Sequence, residues 1–212
     1  MPLIVGLIGK KFAGKSTFVR LTQEYLGANF PLVHLRTSDV LRDMCHAGYL
    51  SDTNDNLQKM ATFLRKEFGE RHLSYTLSER IAHECMRNVT AICFLDGLRW
   101  DSDIKLLRSF PLNRLVYITC DNLDAILKRC HERGDRPDEA EMTQEKLIAL
   151  RNSPTEIEIA RLGQQADYLI SNNESTEAFE TKVRITVRTL LTLMPSPASA
   201  PVYGSRPPGH TS

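Results

Sequence analysis

Charge of one sign is not in excess: 27 Lys and Arg stand against 26 Asp and Glu in 212 residues. Arg206 alone among these residue types falls in the last eighteen positions, so residues 1–194 carry 26 of each sign. A general nucleic-acid or anionic-membrane surface needs a basic excess or a basic face, and the balance argues against one while leaving room for a local cationic pocket. No apolar run approaches the roughly 18 residues of a membrane span. The start, MPLIVGLIGKK, puts no basic segment ahead of its apolar stretch, as a secretory leader would. Cysteines are few and odd in number (Cys45, Cys85, Cys93, Cys120 and Cys130) and form no CxxC pair, which speaks against a disulfide framework or a zinc knuckle. Cytoplasmic localisation is the expectation. The six histidines are scattered and make no ligand pattern.

What is present is ordinary globular material, 42% hydrophobic and 25% charged, enough to bury a core. The length predicts one domain with an insertion or a tail. The tail is residues 195–212, PSPASAPVYGSRPPGHTS, which holds five of the ten prolines. It is too poor in large apolar groups to pack and is expected to be disordered. The domain is therefore placed at 1–194.

Leu3–Ile8, LIVGLI, reads as a strand buried on both faces, and similar runs follow at Pro31–Leu35, Ala91–Leu95, Arg114–Thr119 and Ala166–Ile170. Helical spacing lies between them. Leu57, Met60, Ala61, Leu64 and Phe68 share one face ahead of Gly69, and Leu73, Leu77, Ile81 and Cys85 repeat every fourth position. Alternating strands and helices predict an α/β fold with a parallel sheet covered on both faces, in three layers. The interval of about residues 38–88 holds helical patterns without a strand, which suggests a helical flap over the sheet's carboxyl edge, where ligands of such sheets bind.

Directly after the first strand, Gly9-Lys10-Lys11-Phe12-Ala13-Gly14-Lys15-Ser16 satisfies G-x-x-x-x-G-K-[ST]. Gly9 and Gly14 let the loop curl around Ala13 so that backbone N–H groups converge on a phosphate at a helix N-terminus. Lys15 would set a cation on the β and γ oxygens of ATP, Ser16 would ligate Mg²⁺, and Thr17 would add a hydroxyl near the α-phosphate. Lys10 and Lys11 are expected to be solvated surface lysines.

AICFLDGLRW at 91–100 ends an apolar strand on an acid. Asp96 is thereby placed at the sheet's carboxyl edge, where such a carboxylate holds Mg²⁺ directly or through water, with Arg99 over the same cleft. Thr37-Ser38-Asp39-Val40-Leu41-Arg42 follows the second strand. Here Arg42 would bind an acceptor phosphate and Asp39 would orient or deprotonate an attacking hydroxyl, unless Ser38 and Asp39 merely cap a helix. A charged interval at about 129–142 carries Arg129, Arg133 and Arg136, candidates for a lid that neutralises charge developing on a transferring phosphoryl group. Arg129, on the helix end, is the favoured one.

These residues together resemble the adenylate-kinase-like branch of P-loop kinases, which includes nucleoside monophosphate kinases and dephospho-coenzyme A kinases. GKKFAGKST and LDGLR carry most of the likeness, although LDGLR is one residue short of the usual DG-x-x-R run. TSDVLR is similar to the acceptor-phosphate segment, with Thr37 and Arg42 at the substrate. LKRCHERGDR resembles the lid helix, and ADYLISNNES the last strand and turn of the dephospho-coenzyme A kinases. The resemblance implies five parallel strands in order 2-3-1-4-5, ATP and Mg²⁺, and a small nucleotide-like acceptor. Substrate contacts would come from Thr37, Arg42, Asp96 and Arg99. Alternatives are dephospho-coenzyme A as acceptor, or a catalytically inactive nucleotide-binding module. GTPase base-reading and ABC-type signature motifs do not stand in their expected places.

Overall fold

Leu3–Ile8 (β1) alternates as a strand must: Leu3, Val5 and Leu7 enter one apolar layer, Ile4 and Ile8 the other. All six of its residues are buried. In the computed structural model, which describes residues 2–69, 72–87, 91–133 and 139–194, β1 is joined by Leu32–Arg36 (β2), Ile92–Asp96 (β3), Asn113–Thr119 (β4) and Tyr168–Ser171 (β5). Every pairing is parallel and the order is β2-β3-β1-β4-β5, the order that the resemblance implied.

The helices, in chain order, are Lys15–Leu26 (α1), Thr37–Ala47 (α2), Asn54–Phe68 (α3), His72–Arg87 (α4), Asp101–Ser109 (α5), Leu123–Arg133 (α6), Gln144–Arg151 (α7), Pro154–Gly163 (α8) and Thr176–Leu191 (α9). One sheet face is covered by α1, α6, α7 and α9 through Phe18, Ile126, Leu147 and Val183. The other is covered by α4, α5 and α8 through Ile81, Leu107 and Ile159. Phe18 meets Phe94 edge to face at 5.8 Å, a geometry that contributes about 1 kcal/mol beyond burial. Gly6 permits the close packing of α5: a Cβ there would lie 2.6 Å from Leu107 and 2.7 Å from Leu98.

The insertion forms from α2, α3 and α4, with its own core of Val40, Leu41, Cys45, Leu57, Leu64 and Leu73. Thr53 caps α3 by accepting from the Asn56 backbone N–H at 3.2 Å. The apolar face expected to reach Phe68 stops short of it. Phe68 is 62% exposed and meets Phe63 and His72 instead, because the insertion core ends at Leu64 on this helix; Gly69, at φ +86°, follows as its C-cap. Among the described residues no helix is long and apolar enough to cross a membrane. The Pro-rich tail at 195–212, and residues 134–138 of the expected lid with Arg136, lie outside the described residues.

Candidate phosphate-transfer site

The loop after β1 leads straight into α1. Gly14 stands at φ +111°, and a Cβ there would meet Asn172 Nδ2 at 2.4 Å. At Gly9 a Cβ would strike the Ile118 carbonyl oxygen, also at 2.4 Å. Both glycines of the motif are therefore required by close approach as well as by backbone shape. The cap position of α1 is Gly14, which has no side chain to offer, and Gly14, Lys15 and Ser16 line the cavity, so the positive end of this helix faces it. Lys15 Nζ donates to the carbonyls of Gly9 at 2.8 Å and Lys10 at 3.3 Å. Ser16 is exposed and Thr17 half-buried. Gly14, Lys15, Ser16 and Thr17 all line a cavity of about 590 Å³ between the sheet edge and the insertion.

Asp96, the last residue of β3, is the register partner of Leu7 in β1 and of Arg36 in β2. This pairing brings the acid beside the phosphate loop. It is 6% exposed and accepts from His34 Nε2 at 3.3 Å. Burial opposes its ionisation, but the His34 hydrogen bond and the charges of Lys15 and Arg36 outweigh this and hold its carboxyl below the usual range. An ionised carboxylate and the Ser16 hydroxyl on one cavity wall make a hard oxygen donor set of the kind Mg²⁺ takes together with phosphate oxygens. Thr37, the first residue of α2, donates from Oγ1 to the Asp96 carbonyl at 3.4 Å.

The arginines of β2 and α2 are held by carboxylates. Arg42 Nη1 donates to Asp39 at 3.2 Å and its Nε to Asp52 at 2.8 Å, while Arg36 Nε donates to the second oxygen of Asp39 at 3.1 Å. Arg36, Thr37 and Arg42 line the cavity, whereas Asp39 sits behind them, outside its wall. It is not the cap of α2 either, since the helix begins two residues earlier. Arg99 also lines the cavity, and its Nη1 donates to Glu156 Oε1. Arg129 reaches in from α6: its guanidinium donates to Cys120 Sγ at 3.1 Å and to the carbonyl and Oδ1 of Asn172 at 3.3 and 3.2 Å. Arg133 ends α6, and Arg136 is outside the described residues.

Lys11 departs from the solvated lysine expected. Its backbone N–H donates to Glu156 Oε2 at 2.8 Å, its Nζ to Asn54 Oδ1 at 3.2 Å and its carbonyl accepts from Arg151 Nη1 at 2.7 Å. The reason is tertiary, because the first residue of α3 and the helices after α6 close over the loop. Arg36, Glu156, Arg151, Asn172 and His34 are the site residues that sequence reasoning missed. Asn172 lies in the ADYLISNN ending and His34 in the expected strand Pro31–Leu35, but neither pattern marks the side chain as part of a site. Glu156 reads locally as nothing more than the first turn of a helix after Pro154.

No protein-family model matches the chain. Among curated proteins it is 26% identical over 181 residues to a UPF0200 protein of Methanoregula boonei, spanning 85% of this chain and 93% of that one. It is 29% identical over 187 residues to a UPF0200 protein of Aeropyrum pernix, spanning 88% and 92%. Among solved structures, the shikimate kinase of Bacteroides thetaiotaomicron matches with a TM-score of 0.55 at 18% identity, covering 89% of this chain and 98% of that one. The chain has the fold of the P-loop kinases.

Proposed function

We propose that the protein transfers the γ-phosphoryl group of ATP to a small anionic acceptor, a nucleoside monophosphate or a related nucleotide. One observation carries the reading: Leu7 and Asp96 are register partners, so phosphate loop and acid open on one cavity that Arg36, Arg42, Arg99 and Arg129 also line. The glycine-bounded loop and the N-terminus of α1 would cradle the donor phosphates, with Lys15 turning from its loop carbonyls to the β and γ oxygens. Mg²⁺, held by Ser16 and Asp96, would neutralise charge between those oxygens. Arg36, Arg42 and Arg99 would hold the acceptor phosphate, and Arg129 would balance charge on the equatorial oxygens as the acceptor oxygen bonds to phosphorus and the bond to the β-phosphate oxygen breaks.

The placement of Asp39 favours an acceptor that is itself a phosphate. Such a group is largely ionised at neutral pH, its second pKa being about 6, and needs no base. A carboxylate shared by two arginines and set behind the cavity wall suits orienting them better than taking a proton.

The test is ADP formation by the purified protein with ATP and Mg²⁺ across nucleoside monophosphates, nucleosides and dephospho-coenzyme A. Acceptor-dependent turnover with a monophosphate supports the reading. A preference for dephospho-coenzyme A overturns the acceptor, and ATP binding with no transfer to any of them overturns the enzyme.

A further inference from the structure

Glu156 is a fully buried carboxylate, 0% exposed, that does not itself line the cavity but holds two residues that do, Lys11 and Arg99. It has two partners: Oε1 accepts from the guanidinium of Arg99, and Oε2 accepts from the backbone N–H of Lys11 at the apex of the phosphate loop. The other side of the Lys11 residue is held as well, since its carbonyl accepts from Arg151 Nη1. Arg151 is itself 7% exposed and braced on the Cys120 carbonyl at 2.7 Å. One loop residue is thus gripped through its N–H and its C=O by two buried, opposite charges. They stand at the end of α7 and the start of α8, more than a hundred positions away in the chain.

A buried carboxylate is retained only where paired and hydrogen-bonded, and its removal leaves its partners uncompensated. Burial opposes the charge of Glu156, yet Arg99 and Lys15 together with the Lys11 N–H hold it ionised. A charge kept at that cost on the phosphate loop has a geometric consequence. A guanidinium tethered at one nitrogen keeps its remaining N–H groups aimed along one direction, and Arg99 lines the cavity from that tether.

We propose that Glu156 is a positioning residue for phosphoryl transfer: by holding Arg99 and Lys11 with its two oxygens, it sets the distance between the acceptor-side cation and the phosphate loop. The proposal rests on the function proposed above and adds to it the group that fixes donor and acceptor relative to each other. Misplacement of reacting groups by as little as 1 Å costs about a hundredfold in rate, so this is a term in kcat more than in donor affinity.

The experiment uses the full chain carrying Glu156→Gln, Glu156→Asp or Glu156→Ala. With the proposal correct, Glu156→Gln stays folded at the assay temperature, loses about tenfold or more in kcat and changes its ATP dissociation constant far less. Glu156→Asp, which keeps the charge, recovers part of the rate. An unchanged kcat in Glu156→Gln, or a loss that Glu156→Asp does not relieve and that follows melting temperature alone, overturns it. If the wild type transfers phosphate to no acceptor, it is the proposed function that fails. The clamp is then read by hydrogen exchange over residues 9–15: faster exchange in Glu156→Ala than in wild type supports it, and equal exchange overturns it.

Discussion

Asn172 Nδ2 donates to the Ala13 carbonyl at 2.9 Å, tying the turn after the last strand to the phosphate loop 159 positions earlier. Its Oδ1 accepts from Arg129 at 3.2 Å, so one buried amide organises the loop and the arginine that faces it.

Replacing Asn172 by Ala leaves the Ala13 carbonyl without that donor and Arg129 without that acceptor. A buried polar group stripped of its partner costs about 1–3 kcal/mol. Chemical denaturation is expected to show a loss in that range, together with weaker ATP binding. Full stability in the variant would mean that the contact is incidental.

Gly14→Ala tests the same approach from the other side. The backbone is left-handed at this position and the added methyl meets Asn172 Nδ2 at 2.4 Å, so strain and displacement act together. ATP binding measured by calorimetry is expected to disappear, while far-ultraviolet circular dichroism stays that of the wild type.

Lys15→Ala removes hydrogen bonds to two loop carbonyls, each contributing about 1 kcal/mol net to stability. On the proposed reaction it also removes the cation at the β and γ oxygens. Turnover should fall about a hundredfold or more, with a melting temperature lowered only modestly. Comparable losses in rate and stability would point to a structural lysine.

Arg42→Ala separates the two halves of the cavity. Because Arg42 is held by Asp39 and Asp52 on the insertion, away from the donor loop, the KM for the acceptor should rise about tenfold or more while that for ATP stays near wild type. Equal effects on both would place Arg42 with the donor.

Acid should unfold the protein through its paired carboxylates. Asp167 accepts from Arg108 at 2.8 Å and from the Leu115 N–H at 2.6 Å. Burial opposes its ionisation, but these donors outweigh it and hold its carboxyl below the ordinary 3.8. Glu156 likewise lies below its ordinary 4.5. A depressed folded-state value contributes stability that is complete above the unfolded value and is lost as pH falls through the folded one. Melting temperature is therefore expected to fall as the pH drops below about 4.5, and less steeply in Asp167→Asn. Parallel curves for wild type and variant would remove Asp167 from the account.

The strands were legible because a parallel strand buried on both faces must be apolar along its whole length, and LIVGLI and AICFL satisfy that locally. Observed boundaries differ from expectation by a residue or two at β2, β3, β4 and β5. The helix over Leu57–Leu64 was legible from its spacing, but the outward turn of Phe68 was not, since a period in sequence carries no information on where the neighbouring core ends.

The places of the loop after β1, of the acid at the end of β3 and of Arg42 on α2 and Arg129 on α6 were legible in the sequence, because each depends on residue types at short fixed spacing or at the end of an apolar run, while their roles belong to the proposed function. Tertiary structure decided which of them meet. Strand order, which no local pattern encodes, set Leu7 beside Asp96. Helix packing drew Asp39 behind the cavity wall as the shared partner of Arg36 and Arg42. It also brought Glu156 and Arg151 onto Lys11. A buried charge must find its partner wherever the fold supplies one, and here the partner lies on the phosphate loop, far outside any window in which a sequence motif could announce it.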